Sequence, residues 1–157
     1  MLNYQSSIKV DKSYSDLTVK EVSPLMKLNL RGKGRDFLST IGKNINMILP
    51  MEANTSSSSD NYTSMWLSPD EWMVVSNNNI DKENNNYEIE ELLFSKISKT
   101  NLGAITDVTD QFIMINLKGK NVYELLSSGC PFNFNEFKKK KGAVTQTILA
   151  HIDVIIH

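Results

Sequence analysis

The stretch that decides the fold is Trp66-Leu67-Ser68-Pro69-Asp70-Glu71-Trp72-Met73-Val74. Pro69 fixes φ at the second position of a β-turn, and Asp70 supplies a side chain that hydrogen-bonds turn backbone. The apolar residues on both sides of the turn are typical of two paired strands. The sequence therefore predicts an antiparallel hairpin with arms at residues 65–67 and 72–75.

Upstream of this hairpin, a strand and a helix are predicted. Residues 25–31 alternate between apolar and polar side chains, which indicates a half-buried strand, and Gly32 ends it. Residues 35–45 form an amphipathic helical pattern, and residues 46–50 are expected to return as a short strand. The inward-facing set is Met26, Leu28 and Leu30 on the strand and Phe37, Leu38, Ile41 and Ile45 on the helix.

Polar loops flank the hairpin in the prediction. The serine-rich residues 54–61 carry little that can be buried and are expected to form a mobile loop. Residues 77–86 are expected to form a second loop, and residues 88–99 a helix. The helix residues expected to face inward are Ile89, Leu92, Leu93 and Ile97.

The second half of the sequence echoes the first. Residues 116–120 repeat the pattern of residues 29–33, a helix is predicted over 122–128, and residues 143–156 stand where the tryptophan hairpin stood. Ile113, Ile115 and Leu117 are then expected to face inward. The sequence thus repeats a unit of strand, helix, hairpin and helix, and the second copy lacks the last helix. The N-terminal segment or a partner is therefore expected to cover the sheet face that this helix would cover.

Length, charge and cysteine content limit the domain organisation, the partners and the cellular compartment. A chain of 157 residues fits one α+β domain, predicted over residues 16–157 with halves at 16–100 and 101–157, after a flexible or extended lead-in at 1–15. The formal net charge of −1 gives no electrostatic footprint for nucleic acid or an anionic membrane. No signal peptide or membrane span is apparent, and the single cysteine excludes an internal disulfide, so a cytoplasmic protein is expected.

No catalytic or metal-binding constellation emerges from the motifs. Cys130 and His151 are conceivable as a dyad, but a small half-buried thiol and a turn histidine are the preferred interpretation. Residues 32–34 lack the spacing of a phosphate-binding loop, and the four lysines at 138–141 are interpreted as a solvated loop. The prediction is no catalytic residue, no cofactor-binding residue and no metal ligand on this chain.

Large apolar side chains are instead the candidate functional residues. Each tryptophan can bury about 150–250 Å² in a core or an interface. The run 112–115 is apolar on both faces, as expected for a strand that is covered twice. The candidates for a protein interface are Trp66, Pro69, Trp72, Phe112 and Met114.

Three stretches resemble the gamma subunit family of heterotetrameric sarcosine oxidase. Residues 66–74 are similar to that family's Trp-Leu-Gly-Pro-Asp-Glu-Trp-Leu-Leu signature, with Ser68 in place of the glycine. Residues 105–110 leading to Leu117-Lys118-Gly119 form the second stretch, and residues 125–134, around Gly129-Cys130-Pro131, form the third.

The resemblance implies both a fold and a role. The implied fold is that of the N-terminal part of aminomethyltransferase-like, folate-binding proteins, with two pseudo-repeated halves. The implied role is that of a structural subunit beside the alpha, beta and delta chains of an enzyme that demethylates sarcosine to glycine. FAD, FMN and NAD are then expected on other subunits, together with use of tetrahydrofolate at the alpha subunit. The alternatives are a stand-alone folate-binding protein of one-carbon metabolism and a regulatory adaptor of another one-carbon enzyme.

Overall fold

The computed structural model describes residues 5–8, 12–78 and 88–157. Most of the loop predicted at 77–86 and part of the lead-in predicted at 1–15 therefore lie outside the described residues. Four helices are present in the described ranges: α1 (Gly34–Ile45), α2 (Glu88–Ser98), α3 (Val122–Gly129) and α4 (Phe134–Phe137). The strands are β1 (Lys12–Tyr14), β2 (Leu17–Glu21), β3 (Lys27–Gly32), β4 (Ser56–Ser58), β5 (Tyr62–Ser68), β6 (Glu71–Ser76), β7 (Gly103–Asp107), β8 (Ile115–Lys118), β9 (Thr145–Leu149) and β10 (Ile152–Ile156).

The tryptophan hairpin forms the middle of a five-stranded antiparallel sheet. Its strands lie in the order β4-β5-β6-β3-β7, and Trp66 faces Trp72 across the hairpin. At the turn the Ser68 hydroxyl contacts an Asp70 carboxylate oxygen at 2.9 Å, and the Gly32 amide donates to the Asp70 carbonyl. The predicted hairpin is confirmed, and the turn also connects β6 to the end of β3.

Two helices cover one face of this sheet. Leu28, Leu30 and Trp72 point from the sheet into a core that α1 and α2 close. The 3.6-residue spacing of the apolar positions in α1 places them along one face, as the sequence predicts. The helix residues in this core are Phe37, Ile41 and Ile45 from α1 and Leu93 and Ile97 from α2.

The opposite face of the sheet is covered by a smaller apolar cluster and by the hairpin β9–β10. Met73, Val75 and Val108 pack there against Val144, with Phe112 and Ile155 at the margin. The hairpin is attached at its base, where the Val144 amide donates to the Asn54 carbonyl. This large sheet is therefore covered on both faces.

The N-terminal strands belong to the second half of the molecule. The three-stranded sheet has the order β1-β2-β8, so β2 pairs with a strand about a hundred residues further along the chain. Within the predicted lead-in, residues 12–14 form a strand.

Three local predictions are wrong. Residues 46–50 form no strand: Met47 and Leu49 are buried and Ile48 is exposed, but no neighbouring strand pairs with them. Ser56–Ser58 form β4, because the short serine side chains fit an edge strand paired with β5. Leu92 lies on the exposed side of α2.

The expected match between the inward faces of the two halves is also wrong. Leu28 and Leu30 are fully buried, whereas Ile113 and Ile115 are 53% and 44% exposed. The reason is the position of the strands: β3 lies inside the large sheet under α1 and α2, whereas β8 is an edge strand of a smaller sheet and Ile113 lies outside it. Of the three residues from the second half, only Leu117 packs against the cluster under α3. The coarser prediction of a mixed α/β fold with antiparallel sheets is confirmed.

Candidate functional site

A cleft of about 740 Å³ lies between the five-stranded sheet and the hairpin β9–β10. Its floor is the sheet face opposite the two helices, and its outer wall is the hairpin. Apolar and polar groups line it in comparable number, which is typical of surfaces that bind other molecules. The lining residues are Asn29, Arg31, Leu67, Glu71, Met73, Thr106, Val108, Gln111, Phe112, Gln146, Thr147, Ile148, Asp153, Val154 and Ile155.

The polar groups of the cleft bind mainly to one another. Glu71 accepts a hydrogen bond from the Asn29 amide at 2.7 Å and forms an ion pair with Arg31 at 3.0 Å. The Gln146 side chain donates to the Leu67 carbonyl at 2.7 Å, which ties the hairpin to β5. Because the Arg31 side chain is 64% exposed, its ion pair contributes at most about 1 kcal/mol of stability. These contacts shape the cleft and join its outer wall to the sheet.

Beside the cleft floor lies a buried lysine. Lys27 is 5% exposed, and its ammonium donates to the carbonyls of Leu25 and Thr109 at 3.0 and 3.2 Å. Asp107 accepts a hydrogen bond from the Thr109 amide, and the Thr109 hydroxyl accepts one from the Lys27 amide. Asp107 and Thr109 therefore build the loop that encloses this lysine.

Burial lowers the pKa of Lys27, an effect that the charges of Asp110 and Asp107 partly oppose. The unfolded chain therefore binds more protons than the folded chain at pH values between that lowered pKa and the ordinary value of 10.5. The free energy of unfolding contributed by Lys27 is expected to rise with pH across this window and to be constant below it. A Lys27→Met variant is expected to lack this rise.

Urea denaturation of the wild-type protein and of Lys27→Met at a series of alkaline pH values measures how the free energy of unfolding of each changes with pH. Tyr62, whose pKa is raised by burial, lowers stability with rising pH, but it does so in both proteins and cancels in the comparison. A difference between the two free energies of unfolding that does not change with pH would contradict the assignment.

Among the described residues, no hydrogen bond joins Cys130 to His151, although the neighbouring Ala150 amide donates to the Gly129 carbonyl. The Cys130 thiol is buried and lies 3.4 Å from the Thr147 hydroxyl, whereas His151 is exposed at the turn of the hairpin β9–β10. Within the described residues no three His, Cys, Asp or Glu side chains cluster as a metal site. In those same ranges, no helix is long and apolar enough to cross a membrane.

The five candidate interface residues fall into two groups. Trp72 is 1% exposed, stacks near Phe37, and donates its indole N–H to the Pro50 carbonyl at 2.7 Å. It is a core residue in this conformation, because the sheet and α1 enclose it. The remaining four present surface: Pro69 is exposed, and Trp66, Phe112 and Met114 are half-buried.

The structure adds a set of exposed apolar residues that the sequence did not reveal. Four isoleucines, here called the exposed isoleucines, are 44–67% exposed: Ile113, Ile115, Ile148 and Ile152. All four belong to the second half of the chain, on or beside β8 and on the hairpin β9–β10. The available signal was that each lies in a stretch of the second half that the sequence predicts as a strand. Burial of such exposed apolar side chains by a partner favours association.

Comparison with known proteins gives a family match and a structural match. Residues 32–157 match the model of the family described as "Sarcosine oxidase, gamma subunit family". Among solved structures, the chain resembles one from "Heterotetrameric Sarcosine Oxidase from Corynebacterium sp. U-96 in complex with pyrrole 2-carboxylate", with 19% sequence identity and a TM-score of 0.77. That match covers 92% of this chain and 72% of the other. No curated protein matches the sequence.

Proposed function

Because this chain belongs to the sarcosine oxidase gamma subunit family, we propose that it is a structural, non-catalytic subunit of a heterotetrameric sarcosine oxidase. The observation that carries this proposal is the family match, which spans most of the chain. The exposed isoleucines beside and on β8 and on the hairpin β9–β10 support it, since burial of exposed apolar side chains by another subunit favours association.

The proposal assigns the chemistry to the other subunits. In the assembled enzyme, sarcosine is demethylated oxidatively to glycine, and the one-carbon unit passes to tetrahydrofolate. FAD, FMN and NAD belong to the other chains, and this subunit packs against the folate-handling alpha subunit, with the beta and delta subunits completing the tetramer. The half-buried Trp66, Phe112 and Met114 and the exposed Pro69 remain interface candidates within this proposal. The assembly is proposed to be cytoplasmic.

The proposal includes a fold related to aminomethyltransferase-like, folate-binding proteins, built from two halves at about 16–100 and 101–157. The order of elements supports it: β3, α1 and the hairpin β5–β6 in the first half are followed by β8, α3 and the hairpin β9–β10 in the second. The halves differ in how the strands pair, because β3 pairs with β6 whereas β8 pairs with β2.

Co-expression tests the proposed function. The tagged chain, expressed with the alpha, beta and delta subunits of a sarcosine oxidase, is expected to co-purify with them in equal amounts. Omitting this chain is expected to lower the yield of the assembled enzyme, because the surface of the alpha subunit that it covers is then left exposed. Purification of the tagged chain alone, beside a complete assembly of the other three subunits, would sink the proposal.

A further inference from the structure

We propose that the open edge of β8 binds an extended strand supplied by another subunit, so that the three-stranded sheet continues across the subunit boundary. This inference rests on the proposed function, since it specifies how this chain is held in the assembly. Its basis is the direction of backbone groups on β8, the side chains beside them, and a comparison with the other sheet edges.

The pairing of β2 with β8 fixes which backbone groups point outward. The Val22 amide donates to the Met114 carbonyl at 2.9 Å, and the antiparallel register continues from there through Asn116 opposite Lys20. Hydrogen-bonded and non-hydrogen-bonded pairs alternate in such a ladder. Asn116 and Lys118 therefore bind β2, whereas Ile115 and Leu117 direct their N–H and C=O groups away from it.

This outward row is unpartnered among the described residues. On the β8 side, the three-stranded sheet ends at β8 itself, so Ile115 and Leu117 present two donors and two acceptors to the open edge. A row of this kind is a template for a further strand, and natural proteins protect such rows when no strand is intended.

Each of the other edges of these two sheets is either packed beside a helix or only three residues long, whereas β8 has four residues and an unpaired edge. The helix α2 packs beside β7 at one end of the large sheet, and β4 at its other end is three residues long and made of serine. At the far edge of the three-stranded sheet, β1 is also only three residues long. The approach to β8 has no charge and no proline from Phe112 to Leu117, and two of its isoleucines are exposed.

The side chains around this edge define the chemistry of the incoming strand. On one face, Ile115 lies beside Leu117, which packs against the cluster under α3, so this face requires apolar residues on the partner. On the other face, Lys118 and Lys20 are both exposed. The inferred partner segment therefore alternates between apolar residues and polar or acidic residues, and contains no proline at its paired positions.

Hydrogen exchange of individual backbone amides tests this directly in the assembled enzyme and in the free chain. The amides of Ile115 and Leu117 are expected to exchange rapidly in the free chain and at least about 100-fold more slowly in the assembly. Asn116 and Lys118 provide an internal control on the same strand, because their amides already bind β2 and are protected in both states.

An Ile115→Pro variant tests the contribution of the outward amide to binding. Proline at this position removes an N–H that faces the open edge and leaves the bonds to β2 in place, so the free chain is expected to fold. Its affinity for the other subunits is expected to fall by at least about 10-fold, since docking loses hydrogen bonds at a strand edge. Ile115→Val keeps the amide and is expected to bind like the wild type.

The outcomes separate the two proposals. An assembly that forms while the Ile115 and Leu117 amides still exchange rapidly overturns the strand inference and leaves the proposed function intact. Binding of Ile115→Pro at wild-type affinity does the same, as does protection that arises from pairing of two copies of this chain, seen as a homodimer by native mass spectrometry. Failure to assemble at all overturns both.

Discussion

Replacement of Trp72 by alanine is expected to remove about 3–5 kcal/mol from the free energy of unfolding, as is usual when a large buried aromatic side chain is deleted. The side chain lies between the sheet and α1, with its ring 6.2 Å from that of Phe37. Its loss also leaves the Pro50 carbonyl without the indole donor. Since domains of this size are stable by about 5–15 kcal/mol, a large part of the stability depends on this residue.

Trp66 provides the matched control, because it lies directly opposite Trp72 in the same hairpin but is only half-buried. Urea denaturation of Trp66→Ala is expected to show a markedly smaller loss than that of Trp72→Ala, whereas assembly with the other subunits is expected to weaken in Trp66→Ala. Trp72→Phe keeps an aromatic ring but removes the hydrogen bond. Its loss in free energy of unfolding is expected to be intermediate. Equal losses in the two alanine variants would contradict the assignment of Trp72 to the core and Trp66 to the surface.

Replacement of Gly119 by alanine is expected to detach the N-terminal hairpin from β8. Gly119 has φ +130°, and a Cβ at this position would overlap the Asp16 carbonyl oxygen, in the turn between β1 and β2. The Asn121 amide donates to the same carbonyl at 3.2 Å, so the backbone has little room to retreat. Backbone strain alone costs about 1–3 kcal/mol, and the clash adds to it.

Gly34 is the control for this variant, since it also has a positive φ of +86°, but a Cβ added there would meet no atom within 4 Å. Gly34→Ala is expected to show the strain without the clash, and hence a smaller loss of stability. Hydrogen exchange gives a second readout: in Gly119→Ala the amides of Asn116 and Lys118 are expected to lose protection, while those in the hairpin β5–β6 keep it. Unchanged protection on β8 would show that the close approach to Asp16 does not hold the two segments together.

The elements with strong local signals could be predicted from the sequence. The turn at Pro69-Asp70 and the apolar arms beside it led to the hairpin, and the spacing of Phe37, Ile41 and Ile45 led to α1. Each of these depends on residues that are close together in the chain.

The features that escaped prediction depend on distant residues. The strand β4 forms because β5 offers it a partner, not because serine favours strands. Residues 46–50 contain the apolar run Met47-Ile48-Leu49 but have no neighbouring strand to pair with. The pairing of β2 with β8 has no local signature at all. The exposure of Ile113 and Ile115 follows from their position beside and on an edge strand, which periodicity in the sequence does not report.

In the candidate site too, the features that escaped prediction depend on residues that are far apart in the sequence. Phe112 from the apolar run 112–115, and Leu67, Glu71 and Met73 from the hairpin signature, line the cleft. Trp72 could not be separated from Trp66, because core and interface tryptophans have the same pattern in a sequence. The enclosure of Lys27 required knowledge that residues 107–110 fold over the start of β3.

The pairing of β2 with β8 has a consequence for how the protein emerges from the ribosome. At a synthesis rate of about 5–20 residues per second, β1 and β2 wait for roughly 5–20 s before their partner strand has been made. During that interval the large sheet can fold, whereas the N-terminal hairpin has an unsatisfied edge that chaperones can bind. β1 and β2 are thus synthesised before the strands of the large sheet, but they can complete their own sheet only after it.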